Sequence, residues 1–134
     1  MMRYGLSGFI LMLLATLAAA EDPGADKPQY VHVQPAFVLN YGEGAGNHMK
    51  YIRTDVALRV TGTLAAERVN YHVPYIRNQL VFLLSQQTDE VVDDPKGREA
   101  LRKQALDAVR EIMTELEGKP YVDDLYFQNF VAQN

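Results

Sequence analysis

The side chains best suited to metal binding or acid–base chemistry in this sequence are three histidines. His32, His48 and His72 lie on separate segments, without the short spacings that bring metal ligands together. No cysteine is available to complete a ligand set. We therefore predict no metal site, and we expect His72, two residues before Pro74, to take part in a turn or helix cap.

Two other segments have the composition of a binding loop without its pattern. The acidic run at 89–94 lacks the alternating ligands and closing glutamate of a calcium loop, which favours a solvated helix cap. The glycine-rich segment at 42–46 precedes a strand instead of opening a helix, which predicts a hairpin turn and not a phosphate loop. Ser85 lies in an apolar segment without a matched base. The sequence therefore indicates no enzyme and no cofactor.

The segment from His72 to Thr88 carries more apolar surface than one buried helix face requires. Pro74 suits the first turn of a helix, which we expect to continue to about Gln87. At about 100° per residue, one stripe predicts the core-facing side: Ile76, Leu80, Leu83 and Leu84. A second group lies off that stripe and predicts an interaction surface: Tyr75, Arg77, Asn78, Gln79 and Phe82.

Two interpretations of this second group stay open. Tyr75 and Phe82 could pack under a loop of the same chain, or they could meet a partner. Arg77 could form forked hydrogen bonds across an interface, or it could pair within its own domain.

The remaining elements follow from periodicity. Residues 30–39 predict a strand that Pro35 interrupts, which suggests an edge or a bend. Residues 51–61 alternate cleanly and predict a strand with one solvated face. A second helix is predicted from Asp93 or Asp94 to Gly118, with Leu101, Val109 and Ile112 among its core residues.

Residues 121–133 return to strand character. Leu125, Phe127 and Val131 are predicted to share one side and Tyr126, Gln128 and Phe130 the other, with Phe127 in the core. Aromatic residues on both sides suggest an interior strand. The element order predicts an α+β fold, in which a small mixed or antiparallel sheet of about three or more strands is packed by two helices.

The first 20 residues have the pattern of an export signal. Arg3 precedes a short apolar run, and the alanines at 18–20 offer a cleavage site. An uncleaved short membrane anchor is the alternative. Residues 21–29 are predicted to be a flexible tether, and residues 30–134 a single exported domain.

The charge balance argues against two classes of main partner. The chain carries 17 acidic and 13 basic residues, a net charge of −4, and Arg3 is the only charged residue of the first 20. The remainder is more acidic still, which argues against nucleic acid as the main partner and against anionic lipid. Membrane contact is expected only through the N-terminal segment.

Five segments, taken in order, resemble the exported domain of the FliL family of flagellar basal body-associated proteins. The most specific are the stretch from His72 to Ser85 with its Ile-Arg-Asn centre, the Gly97-Arg98-Glu99 turn, and the closing Phe-Val-x-Gln. The others are PAFVLN (35–40) and KYIRTDVALRV (50–60). The resemblance covers nearly everything from Tyr30 onward.

The resemblance implies a function without catalysis. Proteins of this family are inner-membrane proteins whose periplasmic domain is similar to the SPFH domain of stomatins. The resemblance also implies a homo-oligomeric ring around the flagellar stator proteins MotA and MotB. This ring is expected to stabilise the stator and so to support rotation, swimming or swarming, and chemotaxis. Typical members have a cytoplasmic tail, a full span and a longer linker. Because only about five residues precede the apolar run here, a periplasmic paralogue acting with a full-length FliL is also expected. The alternative is a stomatin-like scaffold or a small-ligand or protein-binding module for a non-flagellar envelope partner.

Overall fold

The protein folds as an antiparallel three-stranded sheet with helices packed on one face. The computed structural model describes residues 23–42 and 50–133. Within these residues the strand order is β1-β2-β3. The elements are β1 (Pro28–Asn40), β2 (Tyr51–Thr61), α1 (Thr63–Tyr71), α2 (Val73–Ser85), α3 (Asp89–Val92), α4 (Pro95–Glu117) and β3 (Val122–Gln133). The predicted α+β class is confirmed, and α1 and α3 are two shorter helices beside the two long ones.

The central strand β2 has the alternation that its sequence predicts. Every second residue from Ile52 to Val60 is buried against the helices, including Thr54, whose hydroxyl donates to the Gln128 carbonyl at 3.0 Å. Residues such as Arg53 point to the opposite side, where none of the described helices covers the sheet. This uncovered side is called the open sheet face below.

Strand β1 lies at one edge of the sheet, as Pro35 suggested. Its register with β2 shifts between Val33 and Phe37, around the cis Gln34–Pro35 peptide. The strand begins at Pro28, two residues before the predicted start, so the end of the expected tether already belongs to the sheet. The Gly62 amide also donates to the Lys27 carbonyl at 2.9 Å.

Strand β3 corrects two predictions. It is an edge strand and not an interior one, because β2 is its only partner among the described strands. A bulge at Asn129, whose φ is 54°, shifts the register between Asp55 and Arg53 of β2. The extra residue reverses the alternation, so Phe130 packs with Phe127 toward the core and Val131 points outward with 42% exposure.

The two long helices supply most of the helical core. Six of the eight residues predicted for the core are buried: Ile76, Leu80, Leu84, Leu101, Val109 and Ile112. Leu83 and Phe127 are only half-buried and pack against the rim of the cluster. Leu83 lies at the margin of its stripe beside α4, and Phe127 lies on an edge strand, so each keeps one side open.

The ends of the helices follow the capping residues of the sequence. Asp94 caps α4, its Oδ1 accepting from the Lys96 amide at 3.2 Å, and Gly118 ends the helix with a φ of 80°. Helix α2 ends at Ser85, two residues before the predicted end. Gly97 allows a close approach, because a Cβ there would lie 2.4 Å from the Val91 carbonyl oxygen of α3.

Several predictions fall on residues outside those that the structure describes. They are the export signal or anchor at 1–20, the start of the tether, most of the glycine-rich turn, and His48. Among the helices in the described ranges, none is both long and apolar enough to cross a bilayer.

Candidate interaction surface

Helix α2 has two apolar sides, and the core uses one of them. Ile76, Leu80 and Leu84 are at most 1% exposed, whereas Tyr75 is 48% and Phe82 61% exposed. At 100° per residue the two aromatic side chains lie about 150° from the buried stripe. They therefore face away from the sheet. Among the residues that the structure describes, no loop covers them, and a partner for these two side chains stays a prediction.

A groove forms where α2 runs beside α4. Its volume is about 300 Å³, and its apolar lining includes Tyr75, Phe82 and Ile112. Glu111 and Glu115 of α4 form the opposite wall, and no lysine or arginine is present among the described lining residues. The groove thus combines apolar surface with uncompensated negative charge. The sequence did not indicate this role for α4, since nothing in it placed the two helices side by side.

Arg77 is half-buried and contacts edge strand β1 of its own domain. Its guanidinium donates to the carbonyls of Pro35 and Ala36, the latter at 3.4 Å, and lies 4.3 Å from the centroid of the Phe37 ring. These contacts satisfy the backbone at the irregularity of edge strand β1. Arg77 therefore pairs within its own domain, because the carbonyls of Pro35 and Ala36, which lie in the register shift of β1, are within reach of α2.

The two amides of the predicted group occupy different positions. Asn78 is exposed, while Gln79 is half-buried in the wall of the groove beside Tyr75 and Phe82. The structure thus brings Tyr75, Gln79 and Phe82 together. Arg77 is directed toward β1, and Asn78 lies at the outer margin.

The open sheet face is a second exposed surface, which the sequence analysis did not single out. Val38 and Val131 are 65% and 42% exposed, and both are cross-strand neighbours of Arg53. The alternation of β2 was the sequence signal for this surface, because it places polar residues on one side of the strand. The position of Val131 depends on the bulge at Asn129, which periodicity does not reveal.

A polar cluster joins the end of the hairpin to α3. The buried Tyr41 donates from its hydroxyl to Asp89 Oδ1 at 2.8 Å, and Lys50 pairs with the other oxygen of that carboxylate. Burial and the hydrogen bond to Asp89 raise the pKa of Tyr41 to about 12. The hydrogen bonds from Lys50 and Tyr41 hold the pKa of Asp89 below its usual value. Asp89 of the acidic run therefore has a structural contact inside the domain.

His72, another candidate group for chemistry, is also in structural contacts. His72 precedes α2, its backbone carbonyl accepts from Ile76, and its Nε2 lies 2.7 Å from Glu117 Oε1. Within the described ranges, no group of three or more His, Asp or Glu side chains could hold a metal ion.

The domain as a whole matches a known family. Residues 30–133 match the family described as "Flagellar basal body-associated protein FliL". This chain belongs to the FliL family. The match begins at Tyr30 in β1 and ends at Gln133 in β3, so it covers the sheet, the four helices and the exposed aromatic surface. The family is described as associated with the flagellar basal body, and membership fits that location.

A curated FliL relative extends over most of the same region. "Flagellar protein FliL" of Aquifex aeolicus (strain VF5) is 27% identical over 101 residues, which is 75% of this chain and 59% of that protein. The chain therefore spans about three fifths of the length of the relative it matches.

Proposed function

We propose that this FliL-family protein is a non-catalytic accessory of the flagellar motor that oligomerises around the stator and stabilises it. The observation that carries the proposal is the pair of exposed aromatic residues on α2, Tyr75 and Phe82, in a domain that belongs to the FliL family. Aromatic side chains contribute much of the energy of protein interfaces, and their exposure costs free energy until a partner covers them.

In this proposal the domain lies in the periplasm, at the inner membrane. The apolar N-terminal segment would export it and either anchor it or be removed. An assembly that binds the ion-conducting form of the stator more tightly than the closed form shifts the stator toward the conducting form. Each tenfold shift in the ratio of the two states requires about 1.4 kcal/mol of differential contact energy. Rotation, swimming or swarming, and chemotactic movement would all depend on that shift.

Co-purification from membranes tests this function. A tagged full chain is expressed at its natural level, and detergent extracts are captured and probed for MotA and MotB. We expect the wild type to retain both stator proteins and Tyr75→Ala with Phe82→Ala to lose most of them. Tyr71→Ala removes an aromatic ring that is 78% exposed on α1 and is the matched control.

Two results would contradict the proposal. One is a wild-type capture without stator proteins under conditions that preserve the stator complex. The other is retention of the stator by the double variant at the wild-type level. A capture dominated by an envelope protein unrelated to the flagellum would favour the non-flagellar scaffold instead.

A further inference from the structure

Two unpartnered surfaces lie on opposite sides of this two-layer domain. One is the acidic groove, formed by Tyr75 and Phe82 of α2 with Glu111 and Glu115 of α4. The other is the open sheet face around Arg53. The core separates them, since the buried residues of the helices pack on the inner face of the sheet. Each copy of the chain therefore has two distinct exposed faces.

The centre of the open sheet face is a cation between two apolar side chains. Val38, Arg53 and Val131 are direct cross-strand neighbours on β1, β2 and β3, so they form one row across the sheet. Arg53 is exposed and forms no ion pair with any described residue. The next outward residue of β2, Asp55, accepts from Asn129 Nδ2 at 3.3 Å. The row is therefore apolar with an arginine at its centre, and the carboxylate of Asp55 lies beside it on the same face.

The acidic groove has the complementary character. It is apolar along Tyr75 and Phe82, and Glu111 and Glu115 form no ion pair within the described chain. A side chain such as Arg53 suits this wall, because a guanidinium binds carboxylates through forked hydrogen bonds and also stacks on aromatic rings.

We propose that copies of this chain assemble face to back, with the Val38–Arg53–Val131 row of one copy seated in the acidic groove of the next. The inference deepens the proposed function, on which it rests for the premise that the chain self-associates. Pairing like faces would instead bring arginine toward arginine, or glutamate toward glutamate, across the interface. A face-to-back contact repeats from copy to copy and closes into a ring when its rotation allows.

Charge reversal tests the pairing on the full chain, purified in mild detergent. Arg53→Glu alone, and Glu111→Arg with Glu115→Arg, should each raise the dissociation constant of self-association roughly tenfold or more, measured by sedimentation. The triple variant that carries both sets should recover most of the wild-type association, because the charges are again opposite. Arg68→Glu reverses an exposed arginine on α1 and should change nothing.

Crosslinking gives the orientation directly, because the chain has no native cysteine. Val131→Cys labels the open sheet face and Gln86→Cys the rim of the groove. A bismaleimide reagent should join the two variants when they are mixed and should give far less product with either variant alone. Products from one variant alone at the level of the mixture would overturn the face-to-back arrangement.

The outcomes separate this inference from the proposed function. Failure of the triple variant to recover association, or a purified wild type that stays monomeric at all concentrations, would overturn the inference while leaving stator co-purification intact. Rescue by charge exchange together with absence of the stator from membrane captures would support the inference and contradict the proposed function.

Discussion

Arg77 connects α2 to the edge of the sheet through a single side chain. It supplies hydrogen bonds to two carbonyls of the β1 irregularity and a cation–π contact with buried Phe37. These carbonyls have no strand partner on their outer side, so Arg77 both satisfies them and blocks pairing with another chain. Arg102 and Arg110 of α4 donate in the same way to carbonyls of β3.

Replacement of Arg77 should therefore cost stability. We expect Arg77→Ala to lower the free energy of unfolding by about 1–3 kcal/mol, and Arg77→Lys to recover only part of it, because lysine lacks the fork. Urea denaturation measures the change. The exposed neighbour Asn78 is the control, since Asn78→Ala should fall within about 0.5 kcal/mol of the wild type. An unchanged midpoint for Arg77→Ala would contradict the structural role.

The Tyr41–Asp89 pair should make stability depend on pH at both extremes. The pKa of Asp89 is lowered in the fold, so its contribution is present above the ordinary aspartate pKa and is lost as the pH falls through the lower value. The pKa of Tyr41 is raised from 10.0 to about 12, so its contribution is present below pH 10 and is lost between pH 10 and 12.

Thermal melting across pH tests the alkaline half of this expectation. The melting temperature of the wild type should fall between pH 10 and 12, and Tyr41→Phe should flatten that fall while lowering the melting temperature at neutral pH. Tyr71→Phe, at an exposed tyrosine, should keep the wild-type profile. Equal alkaline slopes for wild type and Tyr41→Phe would show that another group controls this transition.

At the scale of elements, the close contact between α3 and α4 depends on Gly97. A Cβ at this position would meet the backbone of Val91 at less than 3 Å. Gly97→Ala should therefore destabilise the domain by about 1–3 kcal/mol, although alanine is the better helix former. At exposed Ala100 no such contact favours glycine, so alanine is the more stabilising residue. Ala100→Gly should lower the free energy of unfolding by about 0.5–1 kcal/mol. Chemical denaturation of both variants checks the pair, and a stabilised Gly97→Ala would contradict the tight packing.

The sequence was sufficient for elements whose pattern is local. The alternation of β2, the buried stripe of α2, and the caps Asp94 and Gly118 of α4 are all in the structure. Each of these signals depends on residues only a few positions apart.

Features that depend on distant residues could not be obtained in this way. The bulge at Asn129 reverses the sides of Phe130 and Val131. Hydrophobic periodicity does not predict it, because a single residue with positive φ does not change the pattern of apolar residues. The inward contacts of Arg77 depend on β1, 41 and 42 residues earlier in the chain. The acidic wall of the groove depends on how α4 packs beside α2. Such pairings follow from tertiary packing, so the sequence left both interpretations of Arg77 open and gave no indication of Glu111 and Glu115.

At the scale of the whole molecule, the surfaces that stabilise the fold differ from the surfaces proposed for assembly. One face of the sheet and the inner sides of the helices form the core, while no other part of the described chain covers the outer side of α2 or the open sheet face. The substitution of exposed aromatic residues should therefore affect motor function without unfolding the domain. This separation is the central claim, and Tyr75 and Phe82 are the residues on which it rests.

The most direct test is the expansion rate in soft agar of a strain whose chromosomal copy carries Tyr75→Ala and Phe82→Ala. We expect the rate to fall to that of a deletion strain, while circular dichroism of the purified variant stays the same as that of the wild type. Tyr71→Ala should expand normally. Expansion at the parental rate, with the double variant present at the wild-type level, would contradict the account.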